Sequence, residues 1–412
     1  MRVLWVSHTG VIAGSERSLL AAIEHRPDGV EVVLAAPAGP LAERAVALGA
    51  VHREVPLFDV SFRPHPVDTP RGIAAMLRAG REIRRIVSRD RIDVIVGNTA
   101  RAALAAVLVP QRVPVVGYTR EHLPSGPAGR LAHAPILRRC AAIVANSHST
   151  AGTLPAGRAP VRVIYNAVDR ARFEQAASVS EAEVRRGLGV DDDTALLAVI
   201  AYLAPKKAQD DAIRSVAAMK TERPWQLLLV GEAMFPKGRF DADGYAAGLP
   251  RLAEELGVGD RVRLLGQRED VPELLRAIDV LLVPSWSEPF GRTVIEGMWS
   301  GCVVVAADTG GPPEVIRDGE DGILLPPRSP ERWGRELGAL LDDGERAERL
   351  ATTAADALRS SFEPRRYAAA VMAVARAAAE GGPMPASEPA RSGTPADPGP
   401  GRRPDRLGSG GP

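Results

Sequence analysis

Valine, isoleucine and leucine gather along this chain in short runs, each closed by turn residues and followed by a stretch with helical spacing. RVLWVS, VEVVLAA, RIDVIVGN, VPVVGY, AAIVANS and VRVIYN form a first set that ends near residues 161–165. Runs apolar on both faces and separated by helices predict buried parallel strands of an alternating α/β domain. A polar stretch from Asn166 to Thr194, containing EAEVRRGL and VDDDT, predicts an interdomain connection with one helix. ALLAVIAYL, PWQLLLVGE, RVRLLGQ, IDVLLVPS, GCVVVAAD and DGILLPP then make a second set. The pattern predicts two α/β domains, 1–172 and 195–361, joined by a linker and hinge region at 173–194. Ligands of open parallel sheets sit at the carboxyl ends of the strands, so two facing sheets make a cleft. Beyond them PRRYAAAVMAVARAAA, residues 364–379, has the composition of a helix. Gly, Pro, Ala and Ser dominate 380–412, which predicts a disordered tail.

A chain of 412 residues is long for one core, which agrees with two domains. Its 52 Lys plus Arg nearly cancel 51 Asp plus Glu, so no global field draws it to nucleic acid. Only four of the basic residues are lysines, and two of these, Lys206 and Lys207, are adjacent. Cys140 and Cys302 each stand beside an apolar run and read as buried thiols in a reducing compartment. The apolar stretch Val3 to Val6 is too short for a signal peptide core, and Ala195 to Pro205 is too short to span a bilayer. A soluble, cytoplasmic protein is the expectation.

All seven histidines lie at or before position 148 without a zinc-type spacing, so no metal is expected. The chain has neither a GxxxxGK[ST] loop nor a GxGxxG after a strand. Two Asp-x-Asp pairs, Asp191 with Asp193 and Asp241 with Asp243, read as solvated turns ahead of a cation site.

The segment IDVLLVPSWSEPFGRTVIEGMWSGCVVVAAD reads as strand, loop, helix, strand. A helix starting near Arg292 or Thr293 leaves unpaired N–H groups facing the loop, backed by the positive end of its dipole, which suits a phosphate. Gly291 lets the backbone approach a ligand. Glu288 lies on the loop and Glu296 about one turn within the helix, so the carboxylates flank the phosphate position and can accept from hydroxyls. A nucleotide sugar offers that order of groups. Spacing alone leaves this equally balanced against a solvated Glu288 and a Glu296 favoured only by the dipole.

SEPFGRTVIEGMWSGCVVVAADTGGPPEVIRDGEDGILLPP, with RVRLLGQREDVPELLRAIDVLLVPS before it, resembles the signature of the family 4 (group 1) retaining glycosyltransferases. AGSERSLL, Arg120-Glu121-His122, ANS at 145–147 and VIYNAVDRARF extend the resemblance more loosely into the first half. The resemblance implies the GT-B fold, in which two Rossmann-like, doubly wound parallel-sheet domains face a cleft. It makes the first domain acceptor-side, with the helix 364–379 packing back on it, and the second the nucleotide-sugar donor domain. It assigns Glu288 to donor sugar hydroxyls, Glu296 to the ribose, and Lys207 to the diphosphate. The backbone around Phe290, Gly291, Arg292, Thr293 and Val294 would meet sugar and phosphates, with Gly14 and Gln267 as further donor contacts. His122 matches a histidine that steadies the donor sugar near the anomeric carbon. The implied reaction is metal-independent transfer from a nucleoside diphosphate-sugar to an acceptor hydroxyl with retention. The donor is a substrate and no cofactor is expected.

The chain departs from the family where a Gly-Arg pair is usual: Ala201 and Tyr202 stand there, and Ala208 replaces a glycine. Arg292 or Arg17 is a candidate for the second phosphate-side charge. Two rival readings are a nucleotide-sugar epimerase of the same fold and a non-catalytic nucleotide-sugar binding protein. Finally, RGIAAMLRAGREIRRIVSRDR, 71–91, carries seven arginines in a helical pattern. It reads either as peripheral contact with an anionic membrane or as a solvated outer helix.

Overall fold

A computed structural model of the protein describes residues 1–58, 68–123, 127–233, 241–358 and 361–392. The first apolar set builds β1 (Arg2–Val6), β2 (Glu31–Ala36), β3 (Val51–Glu54), β4 (Val94–Gly97), β5 (Val115–Thr119), β6 (Ala142–Ala145) and β7 (Val161–Val163). They pair in parallel in the order β3-β2-β1-β4-β5-β6-β7. The second set builds β8 (Ala195–Ile200), β9 (Trp225–Val230), β10 (Val262–Gly266), β11 (Val280–Val283), β12 (Val303–Ala307) and β13 (Ile323–Leu325). Their order, also parallel, is β10-β9-β8-β11-β12-β13. Helices cover both faces of each sheet, and the strand side chains pack into four apolar cores. Strand order reverses at β1/β4 and at β8/β11, and such switch points open crevices at the carboxyl ends of the strands.

β3 was not expected. Three of its four residues, VHRE, are polar, all are at least partly exposed, and it is an edge strand with one neighbour, so no apolar run marks it. The linker at 173–194 is also more than a connection. It holds two helices, Arg170–Ala176 and Glu181–Leu188, and Phe173, Leu188 and Val190 are buried in the second domain's core. The helix Pro364–Glu380 returns to the first domain, where Tyr367, Val371 and Met372 join Trp5 and Leu19.

The expectation of a disordered tail is corrected over residues 381–392; residues 393–412 lie outside the described residues. Val163, on the edge strand β7, donates its N–H to Ser387 Oγ at 3.0 Å and accepts from Glu388 N at 3.0 Å. Arg391 crosses to the second domain, reaching Asp321 at 2.7 Å and Val315 O at 2.5 Å. Composition argued for disorder, but an edge strand presents unpaired backbone groups and a buried Asp321 presents charge, and this segment meets both.

Cys140 and Cys302 are buried, and desolvation pushes both thiols up to about 12. Neither should react with iodoacetamide in the native protein at pH 8, and both should be labelled after unfolding. Mass spectrometry of labelled peptides checks this, and native labelling of either would contradict its burial.

Candidate active site

The loops that follow β8 and β11 leave the second sheet at its switch point, side by side. Lys207 comes from the first, in a short turn at Pro205–Lys207, and Glu288 from the second. Their side chains form an ion pair of 2.5 Å, with 15% and 13% of each exposed. Burial lowers the Lys207 pKa, but the charge and hydrogen bond of Glu288 outweigh it, so the lysine is held above its ordinary range. Tyr202, which stands where the family has arginine, packs its ring 5.4 Å from Lys207 Nζ and 5.5 Å from Lys206 Nζ. Ala208 occupies the left-handed region with φ 57°, which explains the glycine usual at this position.

Gly291 caps the helix Arg292–Ser300 with φ 88°, and no side chain caps it. Val294 N already donates to Gly291 O at 2.9 Å. The amides of Arg292 and Thr293 are those that helix geometry leaves for another acceptor. The Phe290 side chain turns away from the cleft. It is buried against Tyr165, stacked at 5.6 Å, and Phe362, so only its backbone can meet a ligand. Glu296 is mostly enclosed and lies 3.4 Å from Arg292, whose other nitrogen donates to Gly14 O at 2.9 Å across the cleft.

Gly14 begins the helix Gly14–Glu24 after β1, and a Cβ there would meet nothing. Contacts within the protein therefore do not require glycine at this position. Glu16, two residues on, is buried and accepts from Ala13 N and Asn98 Nδ2, a structural role. Arg17 lies beside Arg172 and Arg292; burial first, then those like charges, lower its pKa. Gln267 is exposed just past β10, the outer strand of its sheet. Of the Asp-x-Asp pairs, Asp241 caps a helix by accepting from Gly244 N at 2.7 Å.

His122 follows β5 in the first domain and touches both sides of the cleft. Its Nδ1 shares a hydrogen bond with Ser287 Oγ at 2.7 Å, and its Nε2 shares one with Ser149 Oγ at 2.9 Å. Burial lowers its pKa, Glu288 opposing and Lys206 reinforcing the shift, which favours the neutral imidazole. Sequence reasoning missed Ser149, Ser287, Glu314 and the part of Lys206. Serines carry no pattern of their own, and Glu314 was visible only as one letter of GGPPEVI.

The helix at 71–91 runs from Asp68 to Arg89. It buries Met76, Ile83 and Ile86 and exposes Arg78, Arg81, Arg84, Arg85 and Arg89. Among the described residues, no helix is long and apolar enough to cross a membrane.

Two facing parallel-sheet domains, with a lysine and a carboxylate at the switch point of the second and a capless helix start beside them, define the GT-B glycosyltransferase fold. Two family models match the chain: Glycosyltransferase Family 4 over residues 13–172 and Glycosyl transferases group 1 over 180–357. The chain belongs to the family 4, group 1 glycosyltransferases. D-inositol 3-phosphate glycosyltransferase of Salinispora arenicola is 36% identical over 218 residues, 49% of this chain and 47% of that protein. The protein of that name from Nocardia farcinica is 30% identical over 274 residues, 64% of this chain and 57% of that protein. The chain thus spans about half the length of the curated relatives it matches. Among solved structures, Anabaena HepE in complex with UDP-glucose superposes with TM-score 0.75 at 22% identity, covering 90% of this chain and 99% of that one. Sucrose-phosphate synthase of Thermosynechococcus elongatus gives TM-score 0.72 at 18% identity, covering 91% and 98%.

Proposed function

We propose that this protein is a retaining, metal-independent glycosyltransferase that moves a sugar from a nucleoside diphosphate-sugar to an acceptor hydroxyl. The observation that carries the reading is the Lys207–Glu288 pair beside the first turn of Arg292–Ser300, with His122 bonded to the same loop from the opposite domain. A donor diphosphate sits against the amides of Arg292 and Thr293 at the positive end of the helix dipole. Lys207 turns from Glu288 to the phosphates and offsets the charge that the leaving group gains. Glu288, released, accepts from hydroxyls of the sugar, and Glu296 accepts from the ribose. Arg292 is engaged with Gly14 and Glu296, so Lys206, exposed beside Tyr202, is the better candidate for the second phosphate-side charge. Catalysis rests on positioning and domain closure, with no enzymic nucleophile.

UDP-glucose, named in the Anabaena structure, and D-inositol 3-phosphate, named for the curated relatives, are the first donor and acceptor to try. UDP-, GDP- and ADP-sugars should be compared by thermal shift and by nucleoside diphosphate release. The true donor at about 100 times its Kd should raise the melting temperature of this 412-residue chain by roughly 3 °C. Transfer releases nucleoside diphosphate when acceptor is added; an altered sugar without release supports the epimerase, and stabilisation with neither supports the binding protein. The arginine face of the helix Asp68–Arg89 supports peripheral docking on an anionic cytoplasmic membrane surface. Salt-sensitive flotation with phosphatidylglycerol vesicles, absent with neutral ones, tests it.

A further inference from the structure

Glu314 is a carboxylate of the second domain whose side-chain partners all belong to the first. It lies in the short helix Pro312–Val315 and is 5% exposed. One carboxylate oxygen accepts from His148 N at 2.8 Å and from the Tyr165 hydroxyl at 2.7 Å. The other accepts from Ser149 N at 2.6 Å. Such charge-assisted bonds are short and about twice as strong as neutral ones. The carboxylate thereby caps, from the other domain, the helix His148–Gly152.

That helix start touches His122. Ser149, whose N–H Glu314 holds, presents its hydroxyl to His122 Nε2, while Ser287 from the donor loop meets Nδ1. Ser147 Oγ donates to Pro289 O at 2.5 Å, tying the same turn to the same loop. Glu314 is itself in register with that loop. Gly311 N donates to Glu288 O at 2.7 Å, and a Cβ on Gly311 would fall 2.4 Å from the Phe290 backbone. The segment 381–392 adds to the seam: Arg391 N donates to Glu314 O at 3.0 Å, and Glu388 accepts from Tyr165 N at 2.9 Å.

We propose that Glu314 is a positioning residue for His122: when the domains meet, it fixes Ser149 and so sets the imidazole against the donor loop. This rests on the transferase reading above. An open cleft exposes Glu314 to water and releases Ser149, so the histidine is oriented only in the closed arrangement. Glutamine in place of Glu314 keeps one acceptor for Ser149 N but turns an NH2 toward His148 N.

The test compares wild type, E314Q and S149A by long-range 1H–15N spectra of the His122 ring, by steady-state kinetics and by nucleoside diphosphate titration. Expected for E314Q is a changed tautomer signature at His122. Its kcat should fall about 10-fold or more, since small misplacements near a reacting centre have effects of that size. Nucleoside diphosphate Kd should stay within about twofold, as the residue lies outside the phosphate seat. S149A, which removes only the hydroxyl, should reproduce the ring change. Where E314Q lowers the melting temperature, E314D, too short to span both amides, gives the same reading. Unaltered His122 ring signals and kcat in these Glu314 variants would overturn the inference. A wild type that transfers no sugar would instead remove the proposed function, while the ring signals would still decide the role of Glu314.

Discussion

Replacing Glu288 with glutamine is expected to lower kcat by about 100-fold and to leave nucleoside diphosphate binding unchanged or slightly tighter. The direction of the second effect comes from the ion pair. Lys207 is held by Glu288 at 2.5 Å, and in the proposed function a diphosphate draws it away. Glutamine removes that competition while leaving the sugar without its carboxylate. It also leaves a mostly enclosed ammonium without its counter-charge, which costs on the order of 3 kcal/mol unless the lysine gives up its proton. The stability difference has a pH signature. Lys207 is held above its ordinary pKa, so the pair's contribution is fully present at neutral pH. It fades as pH rises through the folded-state pKa, so wild type and Glu288→Gln should converge in denaturant midpoint under alkaline conditions. Initial rates, calorimetric titration with the nucleoside diphosphate, and unfolding at pH 8 and at pH values above 10.5, the lysine's ordinary pKa, check the three parts. Full turnover in Glu288→Gln would remove its role at the sugar.

The largest effect is expected for Lys207→Met, which should lower kcat/KM by about 10³-fold or more. Methionine keeps the length and apolar stem of the side chain, so packing against Tyr202 survives. What is lost is the only cation paired with Glu288 among the described residues. On the proposed function, the donor diphosphate then meets an unopposed carboxylate at the same helix start, which weakens binding, and the leaving group departs without neutralisation, which slows the chemical step. Both kcat and KM should therefore move, in contrast to Glu288→Gln. Lys206 lies close enough to share the Tyr202 ring and would leave a residual rate. A Lys207→Met enzyme with wild-type KM would place the diphosphate elsewhere.

Much of this could be read along the chain. The strands other than β3 announce themselves because a strand covered on both faces is apolar at nearly every position, whatever its partners, and the edge strands β7 and β10 still carry apolar runs. The glutamates and the glycine between them could be placed around a helix start because capping geometry is local. The edge strand VHRE could not, since three of its four residues are polar. The strap at 381–392 could not either: its order depends on unpaired groups of β7 and on Asp321, all more than sixty residues away.

By itself, then, the sequence determined two parallel-sheet domains and a helix start between Glu288 and Glu296, because these follow from periodicity and short-range backbone geometry. Only the tertiary structure decided that Lys207 pairs with Glu288, that His122 lies between Ser149 and Ser287, and that Glu314 holds the first domain's helix start. Those pairings join residues 27 to 165 positions apart. They exist because β8 and β11 are neighbours in one sheet and because the two sheets point their carboxyl ends at each other, and spacing along a chain carries neither fact.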